Sequence, residues 1–136
     1  MSNLEQTLSI IKPDALERNL HDEIKQMFQN KGFSILKEKK IQLAKSEAEQ
    51  FYKVHETKPF YNDLCAYLSS GPIVVMILEK DNAVLANREL MGATNPKDAE
   101  DGTIRKKYGI SIDKNSVHGS DSVENAKMEI DFFFKD

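Results

Sequence analysis

The spacing of apolar residues along the chain predicts strands that alternate with helices. Residues 8–11 form a short apolar run that stops before Pro13, which cannot donate to a sheet ladder, so a strand is expected there. Residues 73–78 are apolar at every position and predict a strand buried on both faces. Residues 33–43 mix apolar residues with lysines, which favours a strand with one solvated face.

Apolar residues three or four positions apart predict helices between and after these strands. The helices are expected near residues 20–31, 48–55, 59–70, 82–91, 103–108 and 122–130. Asn19 and Asp81 are the candidate N-caps of two of them, and Gly32 and Gly92 end the same two. Pro59 suits the first turn of another helix.

The predicted element order indicates an α+β fold with four strands. Residues 93–102 are rich in turn signals and predict a long loop, while residues 110–117 are expected to lead into a short last strand. A sheet with helices packed on one face is the simplest arrangement, and the pattern leaves the strand order open. A length of 136 residues fits a single domain spanning residues 1–136.

Composition and charge restrict the possible partners and compartment. The net charge is −3 and the basic residues are dispersed, which argues against nucleic acid as a main partner and against an acidic membrane surface. The longest apolar run, residues 73–78, is too short to cross a bilayer, and residues 1–7 lack the apolar stretch of a signal peptide. Cys65 is the only cysteine, so we expect a buried thiol in a reducing compartment and a cytoplasmic protein.

The segment around His118 contains the most informative chemistry. His118 and Gly119 stand just before a helix that Asp121 and Glu124, spaced as a capping box, are expected to begin. Gly119 would let a ligand approach closely, and Ser120 with the free amides of the helix could bind an anion. A neutral imidazole is a competent nucleophile toward phosphorus. From these residues alone, a structural role for His118 remains the alternative.

Four charged residues could support such chemistry. Glu129, at the border of the inward stripe of the last helix, could accept a ring N–H from a neighbouring imidazole, or it could be a solvated carboxylate. Lys12, Arg88 and Arg105 could surround phosphate oxygens, although each could equally be a surface charge. Their scatter along the sequence does not show that they meet. The sequence contains no Walker-type glycine loop and no metal-ligand spacing of His and Cys.

Residues 115–122, NSVHGSDS, resemble the active-site signature of nucleoside diphosphate kinases, N-x-x-H-G-S-D-S. Five further blocks resemble the family and follow its order along the chain. They are TLSIIKPDA (7–15), KPFY (58–61), SGPIVV (70–75), RELMGATNP (88–96) and GTIR (102–105). The resemblance implies a ferredoxin-like βαββαβ sandwich whose four-stranded antiparallel sheet is covered by helices.

The resemblance also implies a role for each matching residue. His118 would be the nucleophile, phosphorylated on Nδ1, and Glu129 would hold the other ring nitrogen, with Tyr52 near His118 and the phosphates. The positions expected to contact phosphates or ribose are Lys12, Arg88, Thr94, Arg105 and Asn115. Phe60 would stack on the base, and the further apolar lining would be Leu64 and Ile112. Stacking makes few demands on base identity, so one site could accept all the common bases.

The implied activity is a ping-pong exchange. A nucleoside triphosphate, mainly ATP, would give its γ-phosphoryl group to His118, and a diphosphate such as GDP would take it. Mg²⁺ would bridge phosphate oxygens, without direct protein ligands and with Asp121 as a candidate water-mediated contact. The family forms homo-oligomers, tetramers or hexamers built from dimers.

Two rival interpretations remain at this stage. One is a non-catalytic regulator that uses the same fold to bind nucleic acid or a protein, and the net charge of −3 argues against the nucleic-acid form of it. The other is a phosphotransferase that passes the group from histidine to other proteins. The two remaining histidines, His21 and His55, match no catalytic position of the family and are expected to be solvated or packed.

Overall fold

The computed structural model describes residues 4–111 and 114–134, and within them four strands form one sheet. The strands are β1 (Leu4–Ile11), β2 (Ser34–Ile41), β3 (Ile73–Asp81) and β4 (Val117–Gly119). They lie in the order β2-β3-β1-β4, and every neighbouring pair is antiparallel. The predicted α+β, ferredoxin-like class with a four-stranded antiparallel sheet is therefore confirmed.

Seven α-helices occur in the described part of the chain. They are α1 (Pro13–Glu17), α2 (His21–Asn30), α3 (Lys45–Phe51), α4 (Tyr61–Leu68), α5 (Ala83–Met91), α6 (Ile104–Tyr108) and α7 (Val123–Phe133). Short 3₁₀ turns occupy Lys53–His55 and Pro96–Asp98. Helix α1 was not predicted, because Pro13 was interpreted only as the end of a strand. Proline also suits the first position of a helix, where its missing N–H is not needed.

Helices cover both faces of the sheet, so the simpler expectation of one covered face is wrong. Val74, Met76 and Leu78 of β3 belong to a buried cluster that contains side chains of α2 and α5. The alternate residues Ile73 and Val75 belong to a second cluster with side chains of α3, α4 and α7. Successive residues of a strand point to opposite faces, so an apolar residue at every position requires cover on both sides.

Helix boundaries correct three of the predicted caps. Asn19 has a φ of 60° and forms a turn between α1 and α2, so it does not cap α2. The residue before α5 is Asn82, because β3 continues through Asp81. Ser122 rather than Asp121 caps α7, and its hydroxyl accepts a hydrogen bond from the amide of Asn125. In the described ranges, no helix is long and apolar enough to cross a membrane.

Candidate active site

His118 lies on the edge strand β4, where it pairs with Ile10 of β1. Its Nε2 is 3.0 Å from Oε1 of Glu129 on α7, and the hydroxyl of Ser120 donates to the same oxygen at 2.9 Å. Both the imidazole and the carboxylate are about one-fifth exposed, at 22% and 19%. Nδ1 makes no hydrogen bond with any residue that the structure describes. The carboxylate therefore orients the ring and leaves the second ring nitrogen available.

Ser120 and Gly119 have different roles from those expected. Ser120 is buried, and its hydroxyl donates to Glu129 and accepts from the amide of Leu8 at 3.3 Å. It therefore holds the carboxylate of Glu129 rather than an anionic group of a ligand. A Cβ on Gly119 would lie 2.3 Å from Nδ2 of Asn87 and 2.8 Å from Cε of Met91. The packing of β4 against α5 accordingly requires a glycine at this position.

A cavity of about 420 Å³ opens beside His118 and Glu129. Tyr52 lines it with its ring centroid 6.4 Å from that of His118, and Phe51 lies closer, at 5.4 Å. Burial, with a smaller contribution from the charge of Glu129, raises the pKa of Tyr52 well above its usual range. The phenol is therefore protonated at neutral pH and can act as a hydrogen-bond donor.

Sequence reasoning missed His55, which lines the same cavity. Its ring lies 6.2 Å from that of Tyr52 and 6.0 Å from that of Phe60. The available signal was spacing, since His55 follows Tyr52 by three residues and the two therefore share one side of a helical turn. His21, in contrast, pairs with Glu38 at 3.1 Å, away from His118.

The residues proposed for the base lie outside this cavity. Phe60 is 47% exposed beyond His55, and Leu64 packs, partly buried, against the second core cluster. Ile112 lies outside the described residues. Asp121 does line the cavity of His118, and its side chain accepts a hydrogen bond from Asn125.

A smaller cavity of about 230 Å³ also has Gly119 in its lining, so the two cavities share this residue. Its polar lining includes Arg88, Thr94 and Arg105. The guanidinium of Arg105 is almost buried and donates to the carbonyls of Gly92 and Val117, each at 3.0 Å. Burial, followed by the nearby charge of Arg88, lowers the pKa of Arg105 to about 10, so Arg105 stays protonated at neutral pH.

Neither of these two arginines forms a salt bridge with a carboxylate in the described part of the chain. Two neighbouring guanidinium groups without an acidic partner repel one another, and an anion between them would relieve that repulsion. The arrangement suits the phosphate groups of a ligand.

Lys12 joins the same region through a buried chain of hydrogen bonds. It follows β1 directly and is buried, and its Nζ donates to Oδ1 of Asn115 at 3.0 Å. Asn115 in turn donates from Nδ2 to the carbonyl of Thr94 at 3.1 Å. Because Thr94 lines the smaller cavity with Arg88 and Arg105, the fold brings together all five residues expected at the phosphates. Lys12 is more enclosed than its place at a strand end suggested.

The described residues contain no group of three or more His, Cys, Asp or Glu side chains that could hold a metal ion. Asp121 is the acidic side chain that shares the cavity with His118 and Glu129. This donor set fits a hard cation held mainly by oxygens of a bound ligand, with one outer contact from the protein.

Comparison with known proteins gives one family over nearly the whole chain. The nucleoside diphosphate kinase family model matches residues 5–136. The chain is 57% identical over 132 residues to a nucleoside diphosphate kinase of Campylobacter jejuni (strain RM1221), covering 97% of this chain and 96% of that one. It is 56% identical over 131 residues to one of Geotalea uraniireducens (strain Rf4), covering 96% of each. It also superposes on the crystal structure of the Aquifex aeolicus nucleoside diphosphate kinase with a TM-score of 0.95 at 38% identity, covering 96% of this chain and 95% of that one.

Proposed function

The chain belongs to the nucleoside diphosphate kinase family, and we propose that it works by a ping-pong exchange through a phosphohistidine at His118. It is an enzyme, a phosphotransferase acting between nucleotides. In the proposed exchange, a nucleoside triphosphate, mainly ATP, gives its γ-phosphoryl group and a nucleoside diphosphate such as GDP receives it.

One observation carries the proposal, the hydrogen bond of 3.0 Å between Nε2 of His118 and Glu129. A nucleophilic imidazole needs one nitrogen with a lone pair and the other with a proton. The carboxylate accepts a hydrogen bond from Nε2–H. This places the proton on Nε2 and leaves the lone pair on Nδ1. Because Ser120 fixes the same carboxylate oxygen, the ring is oriented before the substrate arrives.

In the first half-reaction, the Nδ1 lone pair of His118 forms a bond to the γ-phosphorus. The bond from that phosphorus to the β–γ bridging oxygen breaks, and the electron pair leaves with the diphosphate. The imidazole becomes positively charged, and the carboxylate of Glu129 stabilises that charge through the Nε2–H. The second half-reaction is the reverse, with the terminal oxygen of another diphosphate as the nucleophile.

The two arginines of the smaller cavity, together with Lys12, would bind the phosphates. Arg88, Arg105 and Lys12 supply positive charge, and Asn115 and Thr94 supply polar contacts next to Lys12. Such fixed charges stabilise the negative charge on the oxygens of the transferred phosphoryl group and on the leaving bridging oxygen. Tyr52, protonated and beside His118, would donate a hydrogen bond to the phosphoryl group.

The base would stack on the exposed ring of Phe60, with Leu64 and Ile112 as apolar neighbours. A flat aromatic face attracts every base, since each has its own π-surface. This contact supports acceptance of several bases by one site.

Mg²⁺ fits the proposal as an ion carried by the nucleotide. Asp121 would contact it through water, because its side chain lines the cavity of His118 and Glu129. When bound, the ion offsets phosphate charge and keeps the phosphates in one conformation.

The direct experiment is to incubate the purified protein with Mg²⁺ and ATP labelled at the γ-phosphate, and then to add GDP. We expect acid-labile, alkali-stable label on the native protein, and GDP should transfer it into GTP. His118→Ala should take up no label.

His21→Ala is the matched control, because His21 pairs with Glu38 away from the cavity. It should label and transfer like the native protein. If native protein takes up no label, or if His118→Ala transfers as well as the native chain, the phosphohistidine mechanism is wrong. A nucleotide-binding protein without transfer would then be the better description.

The proposal also covers the oligomeric state and the cellular location of the protein. We propose that residues 1–136 act as a single domain within a homo-oligomer, a tetramer or a hexamer built from dimers. Light scattering of the purified protein distinguishes the two masses. A cytoplasmic location is supported by the free thiol of Cys65, which a reducing compartment preserves.

A further inference from the structure

Ser116, two residues before His118, has an unusual backbone conformation. Its φ is 75°, and the other non-glycine residues with positive φ in the described ranges are Asn19 and Asn82. Asparagine adopts this region far more readily than serine. The amide of Val117 also donates to the carbonyl of Asn115 at 2.9 Å, so Ser116 is the centre of the rare and strained form of γ-turn. Such a conformation persists only when its surroundings hold it.

The buried carboxylate of Asp14, on α1, supplies much of that support. Its Oδ2 accepts the hydroxyl of Ser116 at 3.0 Å, and its side chain is only 3% exposed. Tyr67 on α4 donates to the other oxygen, and Arg18 donates to Oδ2 at 3.2 Å. The amide of Lys12 donates to the carbonyl of Ser116 at 2.8 Å. The turn is therefore tied to α1 directly and to α4 through Asp14.

The groups next to this turn are those of the proposed active site. Asn115 precedes it and binds Lys12 through its side chain. Val117 follows it, and its carbonyl accepts from the guanidinium of Arg105. His118 is the next residue. A change in the backbone at Ser116 would therefore move the nucleophile relative to the cations.

We propose that Asp14 is a positioning residue for phosphoryl transfer, because its carboxylate holds the strained turn at Ser116 that places Asn115 and His118. Asp14 itself does not touch the nucleotide, and it acts through the hydroxyl of Ser116. This inference rests on the proposed function, in which His118 attacks phosphorus.

The test uses glycine to separate positioning from general stability. We expect Asp14→Ala to lower kcat for transfer from ATP to GDP by about 10- to 100-fold, since small displacements of reacting groups cost rates of this size. Adding Ser116→Gly to that variant should restore most of kcat, because glycine adopts a φ near 75° without support. The melting temperature should remain lowered in the double variant, since the hydrogen bonds of Tyr67 and Arg18 to Asp14 are still lost.

Two further variants keep the test decisive if Asp14→Ala does not fold. Ser116→Ala and Ser116→Gly lose the same hydroxyl. Of the two residues, only glycine adopts a φ near 75° without support, so kcat should be lower for alanine than for glycine. Asn19→Gly relieves a positive φ far from His118 in the chain and should leave kcat unchanged.

A lowered melting temperature with unchanged kcat in Asp14→Ala would overturn the proposal, as would a loss of kcat that Ser116→Gly does not recover. Equal values of kcat for Ser116→Ala and Ser116→Gly would also overturn it. All variants are compared with native protein in the same assay. Absence of transfer by the native protein would contradict the proposed function instead.

Discussion

The two cavities that meet at Gly119 are built in different ways. On one side, His118 and Glu129 are only 11 positions apart and belong to one strand and the helix that follows it. Next to the smaller cavity, a chain of hydrogen bonds runs from Thr94, which lines it, through Asn115 to Lys12, and the last two residues are 103 positions apart. The nucleophile is thus oriented by a local pair, whereas the charged side depends on the packing of the whole fold. Mutations of the charged residues should therefore reduce both activity and stability, whereas mutation of Glu129 should reduce mainly the rate.

Arg105→Ala should have the largest effect and should damage both properties. It removes a cation from the proposed phosphate site, so we expect kcat/KM to fall by about 10²- to 10³-fold. It also leaves the carbonyls of Gly92 and Val117 without their donor, which should cost about 1–3 kcal/mol of unfolding free energy for the buried carbonyl of Val117 and less for the partly exposed one of Gly92. Steady-state kinetics and denaturant unfolding measure the two effects.

Lys107→Ala is the control for Arg105→Ala, because Lys107 is an exposed residue of the same helix. It should change neither quantity appreciably. If Arg105→Ala lost activity with no loss of stability, the guanidinium would not be part of the packing, and the contrast between the two sides would fail.

Glu129→Gln should affect the rate more than the stability. The amide keeps the shape and an acceptor oxygen, but it does not supply the negative charge that stabilises the imidazolium. We expect phosphohistidine formation to slow by about 10- to 100-fold, measured by rapid mixing with labelled ATP. Glu124→Gln, an exposed residue in the first turn of the same helix, should react at the native rate. A slowing of less than about threefold for Glu129→Gln would show that Glu129 only places the ring.

Phe60→Ala should weaken nucleotide binding while leaving the chemical step intact. Loss of one base stack costs about 1–3 kcal/mol, so KM should rise about 10-fold with kcat unchanged. Leu85→Ala, which removes another exposed apolar side chain, is the comparison and should leave KM as it is. An unchanged KM in Phe60→Ala would place the base elsewhere.

Ser122→Ala should have the smallest effect. It removes the cap of α7, which carries Glu129, and should lower the unfolding free energy by about 1 kcal/mol with little change in kcat. Thr103→Ala is the variant matched to Ser122→Ala, because Thr103 is the cap of α6, the helix that carries Arg105. A loss of kcat in Ser122→Ala comparable to that of Glu129→Gln would mean that the local pair also depends on the start of its helix.

Much of the fold could be predicted from local patterns. Local patterns correctly predicted a strand at the apolar run 73–78, the short helix α6 and the end of α5 at Gly92, because each depends on residues close together in the chain. The cap errors at Asn19 and Asp81 arose where a strand or turn decided which residue precedes the helix. Helix α1 was missed although proline at its first position was a usable signal.

The candidate site shows the same division. The signature around His118 and the position of Glu129 could be found in the sequence, since they lie in one strand and the next helix. The contacts of Lys12 with Asn115 and of Arg105 with Val117 could not, because spacing carries no information about which distant segments meet. The strain at Ser116 was also hidden, since nothing in the residue type indicates a positive φ.

The sequence by itself determined the family, the nucleophile candidate and the alternation of strands and helices, because motifs and hydrophobic periodicity are local properties. Only the tertiary structure decided which helices pack on each face of the sheet, that Ser120 holds Glu129, and that Gly119 is required by α5. These features depend on which surfaces pack together, and packing is settled by the whole buried core rather than by any one segment.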